Sequence, residues 1–150
     1  MTAKEYLSQL GVLDQKIKHK KQELREAKGS RGIHAKKDGS EVENIQTSFG
    51  SPQGNQTEAQ ALKVVSLEED IENRLIQYME LKHKLIDEIH DVNDSLFIDI
   101  LYRRYVRNER NFAQIACDMG YTYKYIINKH GEALMAFERM HPELLKDEET

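Results

Sequence analysis

At 150 residues the chain has the size of one ordinary domain or two small ones, which excludes multi-domain machines and large catalytic scaffolds. Its 22 Lys and Arg against 26 Asp and Glu leave a net charge of -4, too acidic for an indiscriminate nucleic-acid coat, although a local basic face stays open. No tryptophan, two prolines and a mean hydropathy of -0.73 fit long polar helices better than a β-sandwich.

The single cysteine, Cys117, excludes an internal disulfide and with it a disulfide-stapled secreted scaffold. The opening MTAKEYLSQLGVLDQK holds no apolar run of signal-peptide length, and no run elsewhere is long enough to span a bilayer. A soluble protein of a reducing cytosol is expected.

From Ala3 the apolar residues fall at Ala3, Tyr6 and Leu7, Leu10, Leu13, Ile17, Leu24 and Ala27, a spacing of three and four that predicts one narrow helical stripe. Lys20 and Lys21 interrupt it, Thr2 is the expected N-cap and Gly29 the expected stop. Residues 29–56 follow, holding five of the eight glycines and one of the two prolines, and predict a flexible linker. Within it, Val42 to Phe49 has some β-branched character but nothing evident to pair with.

A second stripe runs through Ala61, Val64, Leu67, Ile71, Leu75, Tyr78, Leu81, Leu85, Ile89 and Val92, opened near Thr57 and carrying a phase slip near Leu81. At about 1.5 Å per residue, each long helix extends on the order of 40–50 Å. A narrow apolar stripe must be covered, and an antiparallel hairpin of the +3 first arm (1–30) against the -5 second (57–92) does so. Such a hairpin serves either as a spacer or as an assembly surface for a second copy.

From Asp94 the sparse stripe gives way to three dense, short helical runs. SLFIDILYRRYV is capped by Asp94 or Ser95 and ends at Asn108 in the left-handed region. FAQIACDM is capped by Asn111 and stopped by Gly120, and YKYIINKHGEALMAFERM is capped by Thr122 and stopped before Pro142. Ala116, Gly120 and Ile126 then carry the spacing of a helix-turn-helix: a small residue where the second helix crosses, a glycine for the tight turn, and an apolar wedge completed by Ile115 and Met119.

Placed against double-stranded DNA, the helix opened by Thr122 would offer backbone amides and a hydroxyl to phosphate, with Tyr123, Lys124, Ile127 and Asn128 toward base edges. Lys129, Arg104, Arg107 and Arg110 would add phosphate contacts.

RRYVRNERNFAQIACDMGYTYKYIINKHGEAL resembles the DNA-binding region 4 of bacterial sigma factors. With MTAKEYLSQLGVLDQKI and VVSLEEDIENRLI, it makes the chain similar over nearly its whole length to a phage and prophage family of largely unknown function. That family groups with sigma-like regulators, including activators of late genes. The resemblance implies a transcription regulator working on or with the host RNA polymerase. Three positions depart from the pattern: Arg103 stands where an apolar residue is usual, VRNERN is one residue longer than the usual turn, and Cys117 replaces a commonly acidic residue.

Other constellations have plain readings. His83, Asp87 and His90 share one helix face, which suits a solvated charged surface better than a metal site lacking a fourth ligand. Glu68, Glu69, Asp70 and Glu72 read as a solvated acidic face, and His130 as a packing residue against Ile126, Ala133 and Phe137. No phosphate-cradling glycine loop, nucleophile setting or cysteine pair for metal occurs, so no enzyme, cofactor or metal is expected.

The expectation is an all-α protein: 1–92 a coiled-coil-like helical hairpin, 93–141 a sigma-region-4-like DNA-binding module, and 142–150 an acidic tail. Its expected partners are DNA, host RNA polymerase and a second copy, in the bacterial cytosol with no membrane. The competing reading is an adaptor that meets polymerase or a host regulator without touching DNA. The net charge of 93–141 is only +1, so DNA reading would need help from polymerase.

Overall fold

The computed structural model describes residues 1–29 and 54–146, and among them every regular element is helical. The expected linker, with the Val42 to Phe49 piece, lies outside the described residues, except that Gly54 to Gln56 already belong to the second long helix. The end of the tail, 147–150, also lies outside them.

In chain order the elements are α1 (Ala3–Leu7), α2 (Gln9–Gly29), α3 (Gly54–His90), α4 (Ser95–Leu101), a π-helical turn (Tyr102–Val106), α5 (Phe112–Met119), α6 (Tyr123–Met140) and a 3-10 turn (Pro142–Leu144). The all-α expectation holds. No helix among the described residues is long and apolar enough to cross a membrane.

The termini of these helices follow local chemistry. Thr2 closes a capping box: its hydroxyl accepts from the Glu5 amide and the Glu5 carboxylate accepts from the Thr2 amide. The single helix expected from Ala3 is broken at Ser8, whose hydroxyl donates to the Lys4 carbonyl at 2.6 Å and competes with the backbone ladder. Asp94 caps α4 through the Leu96 and Phe97 amides, and Asn108 takes φ 57. The run expected as one helix to Val106 instead widens into the π turn, where the Arg107 amide reaches back to the Tyr102 carbonyl. The wider turn brings Tyr105 and Val106 onto the buried face with Ile100 and Leu101.

Two compact units result, and they do not divide at 92/93 as expected. One comprises Met1–Asp14 with Gln77–Thr150, the other Gln15–Ile76. The reason lies in the core of the first unit. Of its twelve clustered buried residues, seven (Ala3, Tyr6, Leu7, Leu10, Leu85, Ile89 and Val92) come from before residue 93 and pack with Leu101, Tyr105, Val106, Ala133 and Phe137. Tyr6 anchors the arrangement: its phenol donates to Glu88 at 2.6 Å and its ring lies 5.9 Å from that of Phe137. Burial and the Glu88 carboxylate push that phenol above the usual tyrosine range. Leu144 and Leu145 pack on the same core, so the expected acidic tail begins as part of it.

In the second unit Ile17, Val64, Leu67 and Ile71 are buried, and Lys28 pairs with Glu68 at 3.5 Å, linking α2 to α3. Leu75, expected in the stripe, is exposed. Arg74 holds the repeat position and pairs with Asp70 at 3.1 Å. Within α3, Val64, Ile71, Tyr78 and Leu85 advance by sevens.

Candidate nucleic-acid interface

The candidate site is built on α5 and α6. Asn111 caps α5 by accepting from the Ala113 and Gln114 amides. Gly120 ends it at φ 80, and the Tyr121 amide closes back on the Ala116 carbonyl at 2.9 Å. That is a Schellman-type ending, which a glycine adopts without the penalty a side chain would bring. Two residues later Thr122 caps α6 by accepting from the Tyr125 amide.

The angle between the helices is held by a small core of its own. Ile115 and Ile126 are fully buried with Ile100, Ala116 is 2% exposed, and Leu96, Phe112 and Met119 pack against them. The five residues expected at this junction, Ile115, Ala116, Met119, Gly120 and Ile126, are thus brought together at one corner.

On the outer surface Thr122, Tyr123, Lys124 and Asn128 are exposed, while Ile127 is half-buried. Tyr121 and Tyr125, which the sequence reading passed over, belong to this surface and stack at 4.8 Å. Their spacing of four residues across a helix start is the signal that would have found them.

The cations are disposed unequally. Lys129 pairs with Glu132 at 2.9 Å and lies 5.5 Å from the Tyr125 ring centre, and the Glu132 carboxylate holds its ammonium above the usual lysine range. Arg107 pairs with Glu109 at 3.4 Å, and Arg103 with Asp99 at 3.2 Å. Lys124 and Arg110 are exposed and outside any ion pair among the described residues. Arg104 is half-buried, its Cζ 5.3 Å from the ring centres of both Tyr105 and Phe112, with Nε buried and without a hydrogen-bond partner.

His130 is half-buried among aromatic rings. Its Nε2 lies 2.8 Å from the Tyr105 hydroxyl, and its ring lies against those of Tyr105 and Phe112, partners the sequence did not suggest. The reason is that α5 and the π turn supply the rings facing this level of α6. Burial, with Arg104 and Lys4 nearby, pulls its pKa down to about 4, and burial pushes the Tyr105 phenol up to about 12.

Elsewhere, His83 pairs with Asp87 at 3.4 Å on an exposed face, and His90 lines an open groove of about 850 Å³ with Leu96, Tyr102, Arg103, Met119 and Tyr121. Among the described residues no group of three or more His, Cys, Asp or Glu is disposed to hold a metal ion. Cys117 is a free, exposed thiol. No known protein family, curated protein or solved structure matches the chain.

Proposed function

We propose that the chain is a DNA-binding transcriptional regulator of a phage or prophage, acting in the host bacterial cytosol with RNA polymerase. In this reading α5 and α6 form a sigma-region-4-like helix-turn-helix. One observation carries it: a buried Ile115, Ala116 and Ile126 corner joined through Gly120 at φ 80, with a Thr122-capped helix presenting Tyr123, Lys124 and Asn128 outward. The first turn of α6 would meet the phosphate backbone and its exposed side chains the major-groove edges. α2 and α3 then act as a spacer, or as the surface on which a second copy assembles.

The ion pairs of Arg107 and Lys129 leave Lys124 and Arg110 as the cations ready for phosphate. Counterion release over about two to four phosphates gives a log–log salt slope of roughly -2 to -4, shallow for a self-sufficient repressor. Help from polymerase follows. The test is selection of genomic fragments by the purified chain with and without RNA polymerase, then titration of the selected duplex. A Lys124→Ala, Asn128→Ala double variant is expected to lose the selected sequence; unchanged binding and unchanged reporter activation would refute the groove assignment.

A second reading is favoured by the tyrosines. Tyr121, Tyr123 and Tyr125 are 44%, 57% and 37% exposed, and exposed tyrosines of this kind are enriched at protein interfaces; Tyr121 also lines the groove with Tyr102 and Arg103. An adaptor that meets polymerase or a host regulator without DNA would retain polymerase in a salt-insensitive pull-down and retain no duplex.

A further inference from the structure

A cleft of about 140 Å³ lies away from the outward face of α6, between the start of α2 and the end of the π turn. Its lining is Ser8, Gly11, Val12, Arg104, Tyr105, Asn108 and Arg110, two arginines and an amide with no carboxylate among them. It is far smaller than the roughly 300–1,000 Å³ that drug-sized ligands occupy, and suits a small polyatomic ion.

Three residues shape the cleft. The first is the Arg104 cation, half-buried and outside any ion pair among the described residues, whose side chain lines the cleft. The flanking Tyr105 and Phe112 rings hold the guanidinium in place but accept no conventional hydrogen bond. The second is Asn108, whose left-handed backbone at φ 57 places its carboxamide against Gly11. The third is Gly11 itself. A Cβ there would lie 3.1 Å from Asn108 Oδ1, so this helical glycine keeps the floor of the cleft open at a position where alanine would favour the helix.

We propose that this cleft is an oxyanion site that takes a phosphate group, held by Arg104 and Arg110 with the Asn108 amide as a further donor. Arginine supplies a planar fork of N–H donors matched to phosphate oxygens, which is the chemistry the lining lacks a carboxylate to satisfy. The phosphate belongs either to a DNA backbone or to a free phosphate-bearing molecule, and the assignment does not require that the chain bind DNA.

The experiment uses the full chain, labelled for NMR and titrated with inorganic phosphate against sodium chloride at constant ionic strength. Saturable shifts are expected at Gly11, Asn108, Arg110 and the Arg104 side chain, and His130 should titrate at higher pH once the anion offsets the Arg104 charge. Arg110→Gln should weaken phosphate binding about tenfold, as loss of one charge-assisted contact implies. Gly11→Ala should also weaken it, by displacing the Asn108 amide. Arg139→Gln, exposed and outside the cleft, should leave it unchanged.

A selected duplex then separates the sources. Competition between phosphate and duplex, with Arg110→Gln weakening both, supports a backbone phosphate. Simultaneous binding, with duplex affinity unaffected by Arg110→Gln, supports a free phosphate. Phosphate binding in a chain that retains no duplex supports the site while refuting the DNA-binding function. Shifts that grow linearly without saturating, or that are the same in Arg110→Gln as in the wild type, overturn the proposal.

Discussion

His130 makes folding stability depend on pH in a way that can be isolated. In the folded chain its imidazole is held at about 4 by burial and by the neighbouring Arg104 and Lys4 charges, against about 6.5 when unfolded. The unfolded chain therefore takes up the proton first. The contribution is fully present above pH 6.5 and is lost as the pH falls toward 4. In full, the gap between the two values corresponds to about 3 kcal/mol, but the ring is only half-buried and solvent screening reduces this to roughly 1.5 kcal/mol.

His130→Phe keeps a ring against Phe112 and removes the titration. The Tyr105 phenol left without its partner stays neutral throughout, since it titrates at about 12. Urea unfolding of both proteins between pH 7 and 4 should show their stability difference changing by about 1 kcal/mol by pH 5, in the direction that disfavours the wild type at low pH. Carboxylates shared by both chains cancel in that difference. Parallel stability profiles, or an NMR titration placing His130 near 6.5, would refute the reasoning.

Gly120→Ala should cost about 1 kcal/mol from backbone strain alone, because φ is 80 and nothing lies within 4 Å of the added methyl. Calorimetry that finds no loss would contradict the left-handed turn. Ala116→Leu should cost about 1–3 kcal/mol by forcing α5 and α6 apart at a position 2% exposed, and a tolerated leucine in chemical unfolding would argue against the tight corner. Tyr6→Phe should cost about 1–3 kcal/mol by taking the donor from Glu88, and its spectrophotometric titration should lose a phenol that deprotonates above the usual range.

Features set by a few neighbouring residues were legible in the sequence. Thr2, Asp94, Asn111 and Thr122 cap where their short polar side chains can reach orphan amides, and Asn108 and Gly120 turn the chain as expected. The Ile115, Ala116 and Ile126 corner was legible for the same reason: small, flexible and apolar residues at fixed offsets leave few alternatives.

What escaped depends on partners distant in the chain. The π turn follows from the need to bury Leu101 with both Tyr105 and Val106, which no local propensity encodes. Leu75 and Arg74 compete for one position, and hydrophobicity alone chose wrongly. The packing of Arg104, 5.3 Å from the ring centres of Tyr105 and of Phe112 on α5, was not legible either. The partners of His130 were missed because the chain first brings them together in three dimensions.

The first unit also has a kinetic consequence. The Ala3 amide meets the Glu138 carboxylate across 135 residues, and Leu7 and Leu10 share a cluster with Ala133 and Phe137. Loop closure over such separations is slow relative to local helix formation, so the caps and short helices can form long before their common core does. During synthesis, the cluster of Leu7 and Leu10 can begin to form with Leu85 and Ile89 but is complete only after Phe137 has emerged. The α5–α6 corner, whose contacts lie close together in sequence, can assemble while that cluster is still incomplete.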